Sequence, residues 1–127
     1  MDGFDMNGVS WRVVRVLSSD PVLVDRTGAM TVATTDPSTL TVYVSSELSG
    51  RFLGRVLVHE IAHCAIFSFG LMDDIHRMCH PAYWIEAEEW VCNFLADYGT
   101  MVFDAAYSVL GDDAVSVVPR EYERMVA

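Results

Sequence analysis

The chain contains no lysine. Its eight basic residues are all arginine and stand against 18 acidic ones, a formal net charge of −10. Affinity for nucleic acid comes largely from neutralising phosphates, so a chain this poor in cations is not expected to bind it. The carboxylates are scattered and not spaced in rows, which speaks against an acidic surface that imitates nucleic acid towards a basic protein; solubility is the plainer use of the charge. Cysteine is scarce as well, and Cys64, Cys79 and Cys92 are too few by one to pair completely. The start Met1-Asp2-Gly3-Phe4-Asp5 is acidic where a signal peptide is positive, and no apolar segment follows it for export. An intracellular, cytoplasmic and reduced protein is the expectation. His, Arg or Glu interrupts every apolar run before it could span a bilayer, so no membrane segment is expected either. Repeats, linkers and low-complexity tracts are missing.

What is present is an apolar fraction of 52% over 127 residues, which excludes disorder and predicts one domain, 1–127, with a modest core. Residues 9 to 44 read as β structure. Val9, Trp11, Val13, Val14 and Val16 are followed by the runs Pro21 to Val24, Ala29 to Ala33 and Leu40 to Val44. Turn chemistry separates them at Ser18-Ser19-Asp20-Pro21, Asp25-Arg26-Thr27-Gly28 and Asp36-Pro37-Ser38-Thr39. After Ser45 and Ser46, either of which can cap a helix, apolar residues recur at helical intervals from Phe52 to Phe69, where Gly70 ends the pattern. Residues 71 to 80 read as a polar connection, and a second long helix is predicted from Pro81 or Ala82 to Leu110, with Gly111 at its exit. Val115 to Val118, Pro119 and a short Glu121 to Val126 segment fit no single element. The expected fold class is α+β: a small, mostly antiparallel sheet, then two helices.

The first helix carries His59-Glu60-Ile61-Ala62-His63, an H-E-x-x-H run. Positions i and i+4 of a helix share a face, so both imidazoles can reach one ion while Glu60, one step round, addresses a bound water. That is the core of a zinc hydrolase. Beyond Arg55 this helix is apolar nearly all round, which predicts burial between other elements, and its histidines and glutamate then need partners that Zn²⁺ would supply.

A catalytic zinc normally takes three protein ligands and keeps a fourth position open. The second helix offers three carboxylates for the missing place. Projected at about 100° per residue, Glu86 falls with Asn93, Asp97 and Asp104 on a polar stripe. Glu89 falls with Ile85, Cys92, Ala96 and Phe103 on a mainly apolar face, where a carboxylate is costly unless paired or bound to metal. Glu89 is therefore the preferred ligand. Glu88, with Val91, Cys92 and Leu95 as neighbours, stays open as the other choice.

His59-Glu60-Ile61-Ala62-His63 followed by Glu88-Glu89-Trp90-Val91-Cys92-Asn93-Phe94 resembles the gluzincin pattern of zinc metallopeptidases. Within that group the chain is most similar to small phage-associated and ImmA/IrrE-like proteins, over roughly residues 30 to 98. The resemblance implies a minimal zincin-like fold and a glutamate ligand on the second helix. It also implies an Asp or Asn four residues further on that supports a zinc-bound histidine; Glu89 and Asn93 fit that spacing. The interval from His63 to Glu89 is longer than in thermolysin, and Glu-Glu-Trp-Val-Cys-Asn-Phe stands where Glu-Ala-Asn-x-Phe-Ala is typical of ImmA/IrrE. The immunity-repressor and DNA-damage roles of that family are not expected here, since no separate DNA-binding domain is read in the sequence.

The chemistry so implied is metallopeptidase chemistry. Zn²⁺ on His59, His63 and Glu89 activates water, Glu60 is the general base, and a peptide or protein is the substrate. His76, His80, Tyr83 and Tyr98 are the candidate oxyanion donors. Leu40 to Val44 reads either as an edge strand able to pair with an extended peptide or as a plain structural strand. A group of His76, Cys79 and His80 matches no strong zinc spacing, and Met72, Met78 and Met101 read as core filler. The competing expectations are a zincin-like domain with structural zinc that acts as a protein-binding module, and a metal-free assembly component.

Overall fold

A computed structural model describes residues 2–115; the Val115 to Val118 run beyond its first residue, Pro119 and the Glu121 to Val126 segment lie outside the described residues. The chain divides into two compact units, one ending at Asp97 and one beginning at Tyr98.

The first unit is α+β. Its sheet holds β1 (Gly3–Met6), β2 (Val9–Val16), β3 (Ala33–Asp36) and β4 (Thr41–Ser45) in the order β1-β2-β4-β3. β1 and β2 form a hairpin across Asn7-Gly8, whose φ angles of 50° and 77° are the left-handed pair that an Asn-Gly turn supplies. β2 runs parallel to β4, and β3 returns antiparallel to it, so the sheet is mixed although two of its three pairings are antiparallel. Three expected strand features change. Pro21–Leu23 is a 3-10 turn capped by the Asp20 carboxylate, because proline there cannot donate to a ladder. Ala29 to Ala33 contributes only the bridge Val24↔Met30 and the first residue of β3. β4 is interior and not the edge: its residues are largely buried, while buried Ala33 and half-buried Thr34, Thr35 and Asp36 of β3 form one edge of the sheet.

The motif helix, α1, spans Gly50–Ser68, with Ser49 and not Ser45 or Ser46 at its start; Ser45 instead accepts from the Glu47 amide. Its exit runs through Gly70 at φ 66°. Two apolar clusters flank it. Val56 and Cys64 pack with Trp11, Ala33, Val42, Val44 and Leu48 against the sheet, and Ala62 and Ile66 pack with Ile75 and Cys92 against the following helices. The Trp11 indole N–H donates to Ser68 Oγ at 2.8 Å and ties β2 to the end of α1. Burial is less complete than the apolar run predicts: Phe52, Val58, Phe67 and Phe69 are exposed, because only two sides of the cylinder are covered.

The expected polar connection contains a helix, α2 (Met72–Met78). The expected long helix is interrupted. Pro81–Tyr83 is a 3-10 turn, α3 runs Trp84–Phe94, and a π-helical turn, Leu95–Gly99, ends at a glycine, a poor helix former. Met72 packs on the second cluster, but Met78 and Met101 are exposed and fill no core. Among the described residues no single helix is long and apolar enough to cross a membrane.

The second unit, as far as it is described, consists of α4 (Thr100–Leu110) and a 3-10 turn, Gly111–Val115. Gly111, at φ 66°, makes the exit, and Tyr107 Oη donates to Asp112 across it at 3.3 Å.

Candidate metal centre

The helical spacing places His59 and His63 on the side of α1 that faces α3, with their Nε2 atoms 3.3 Å apart. Glu60, one residue on, turns towards the sheet. There it is buried, and the Thr35 hydroxyl of β3 donates to Oε1 at 3.0 Å. Ligand atoms of His59, Glu60 and His63 all lie within 4.8 Å of one another, so the group could hold a metal ion.

Glu89 reaches this group from α3. Its Oε2 lies 3.0 Å from His59 Nε2 and its Oε1 lies 3.2 Å from His63 Nε2. Glu60 Oε2 stands further off, 3.7 Å from His59 Nε2, and its other oxygen is occupied by Thr35. The closer group is therefore the two imidazoles and the Glu89 carboxylate, one oxygen towards each ring, with Glu60 beside it.

Glu88 has a different place. It is 5% exposed, and its Oε2 meets Nδ1 of His63. A carboxylate there makes Nδ1 the donor, the arrangement that would leave Nε2 as the nitrogen for a metal. The helical projection is corrected on this point: the deep face of α3 runs through Glu88 and Cys92, and Glu89 stands at its rim, with its side chain 38% exposed. The π-helical turn that begins at Leu95 also ends the regular α-helical phase that the projection carried on to Ala96. Asn93, expected behind an imidazole, is exposed on the cavity wall and makes no hydrogen bond to either ring; the orienting role at His63 belongs to Glu88.

Sequence reasoning missed Arg26. Its Nη1 donates to Glu88 Oε1 at 3.1 Å and its Nη2 to Glu89 Oε1 at 3.3 Å, so one guanidinium spans both carboxylates. The only signal was an arginine at the tip of the Asp25-Arg26-Thr27-Gly28 turn. Thr35 was equally silent, a hydroxyl in a short polar strand.

These contacts set the charge states. Burial pushes the Glu60 carboxyl up, against the pull of His63 and His59. For His63, burial works to lower the imidazole, but hydrogen bonds to Cys92, Glu88 and Glu89 outweigh it and raise the group well above its ordinary 6.5. Glu89 is held below the usual carboxylate range by its bonds to His59 and His63. Glu88, though burial opposes it, is lowered by His63 and Arg26.

The cluster opens on a cavity of about 700 Å³ bounded by β3, α1, α3 and the Val24 to Thr27 loop. His76, His80 and Tyr83 do not line it. His76 stacks on Trp84 with ring centres 3.8 Å apart, and His80 caps the Ala82 amide. Tyr98 belongs to the second unit. Polar groups on the cavity wall include Arg26, Thr35, Tyr43 and Asn93. No family model matches the chain, and no curated protein or solved structure matches it.

Proposed function

We propose that this chain is a zinc-dependent metallopeptidase with a zincin-like fold of the gluzincin type, in which His59, His63 and Glu89 hold zinc and Glu60 is the general base. The observation that carries the reading is the meeting of His59 Nε2 and His63 Nε2, 3.3 Å apart, with the Glu89 carboxylate, whose Oε2 lies 3.0 Å from the first nitrogen and Oε1 3.2 Å from the second. A tetrahedral zinc ion with bonds of about 2.0 to 2.2 Å keeps its donors roughly 3.3 to 3.5 Å apart. Two imidazoles and a carboxylate at nearly that spacing are a fitting donor set.

When bound, zinc lowers the pKa of a coordinated water and polarises a substrate carbonyl. The rest falls to the chain. Glu60 takes the proton of the attacking water and passes it to the leaving amine, and its burial raises the carboxyl above its ordinary value. Thr35 fixes Oε1 of Glu60. Glu88 fixes the tautomer of His63. β3, one edge of the sheet, runs along the cavity and would be the strand beside which an extended peptide lies. The open cavity also favours peptidase over a protein-binding module with structural zinc, because structural sites are closed by a fourth protein ligand.

Two variants test this. Glu60→Gln keeps one zinc per chain and loses hydrolysis of an unfolded protein substrate by about 100- to 10,000-fold, whereas His59→Ala loses the metal. Undiminished hydrolysis in Glu60→Gln overturns the proposal.

A further inference from the structure

We infer that Arg26 is a positioning residue of this metal centre, its guanidinium clamping the adjacent carboxylates of Glu88 and Glu89 so that one orients His63 and the other completes the donor set; the inference rests on the metal reading proposed above.

Arg26 is carried by a loop that is braced without it. Val24 bridges Met30, the Asp25 amide donates to Ala29 O at 2.8 Å, and the Gly28 amide donates to Asp25 O at 3.0 Å. Asp25 Oδ1 accepts from the Thr27 amide at 2.8 Å, the Thr27 hydroxyl at 2.5 Å and the Ala29 amide at 3.1 Å. The turn is thus fixed by its own backbone and Asp25, which leaves the Arg26 side chain to reach α3. There each carboxylate oxygen has a partner. Glu88 Oε1 takes Nη1 of Arg26 and Oε2 takes His63; Glu89 Oε1 takes Nη2 of Arg26 as well as His63, and Oε2 takes His59.

Two effects of opposite sign follow from losing the guanidinium. A cation next to the site repels a divalent ion, so on charge alone its removal would tighten metal binding. Its removal also leaves a 5% exposed carboxylate without its cation, next to a second one, and frees both from their geometry. Outer partners of this kind are worth about 10- to 100-fold in metal affinity. The charge effect is weaker, because the Arg26 side chain is 41% exposed and screened by solvent. Positioning therefore prevails, and the sign of the change tells the two apart.

The test measures zinc affinity of the full chain by competition with a chromophoric chelator, together with the visible spectrum of the cobalt-substituted protein. Arg26→Gln is expected to weaken zinc binding by about 10- to 100-fold and to alter the cobalt bands. Arg26→Lys recovers part of the loss, since an ammonium is a point charge and cannot span two carboxylates as the planar fork does. Denaturation of the metal-free variants monitors the fold, and if Arg26→Gln does not fold, Arg26→Lys decides alone. Affinity equal to or tighter than that of the original chain, with an unchanged cobalt spectrum, overturns the inference. An original chain that takes up no zinc overturns the metal reading and this inference with it; normal zinc uptake with an indifferent Arg26 variant removes this inference alone.

Discussion

The carboxylate of Glu89 lies between two imidazole nitrogens, 3.0 Å from His59 Nε2 and 3.2 Å from His63 Nε2. His63 is raised above its ordinary value of 6.5, and Glu89 is lowered below its ordinary 4.5. The raised histidine stabilises the fold fully below about pH 6.5 and loses that contribution as pH climbs towards its folded value. The lowered glutamate contributes above about pH 4.5 and loses it only as pH falls. The metal-free protein should therefore melt highest between these limits and at lower temperatures as pH rises beyond 6.5. Zinc needs the unprotonated Nε2, so its affinity should rise over the same range. Thermal melts in chelator and in zinc between pH 5 and 9 check this: the zinc-dependent gain should grow with pH, and a gain that shrinks would contradict it. At this scale His59, Glu60 and His63 were legible in the sequence because the chemistry lies within one helical turn. Glu88 was not, because two consecutive acids on a helix differ in depth by packing alone. Arg26 was not, because 62 residues separate it from the glutamate it meets.

Among the elements, the turns and the motif helix answer to local rules that substitution can probe. Gly8 holds φ 77° in the β1–β2 turn with open space around it, so Gly8→Val should cost roughly 1 to 2 kcal/mol through backbone strain alone. Gly54, inside α1 with ordinary φ and nothing near its absent Cβ, should gain roughly 0.5 to 1 kcal/mol on Gly54→Ala. Urea midpoints measure both, and equal effects of the two variants would contradict the assignment of the turn. The course of α1 to Gly70 could be read from apolar spacing, since a helix is a local structure. The Asn7-Gly8 pair announced a hairpin just as locally, although the β reading began only at Val9. The interior place of β4 could not be read that way, for it depends on the long-range parallel pairing with β2. The π-helical turn broke the phase of a projection that assumed one unbroken helix.

Over the whole molecule, the charge of −10 bears on which substrates approach the cavity. An acidic protein attracts cationic peptides and repels anionic ones over distances set by ionic strength. kcat/KM for a basic peptide should fall as salt rises, while a neutral peptide of equal length should be little affected. A basic peptide cleaved no faster at low salt would show that the overall field plays no part. The most direct measurement of the metal centre is zinc bound per chain after exhaustive dialysis, in the original protein and in Glu89→Ala. One zinc in the former and none in the latter is the predicted result. A zinc-free original chain, or a Glu89→Ala variant that keeps its zinc undiminished, would contradict the donor set of His59, His63 and Glu89.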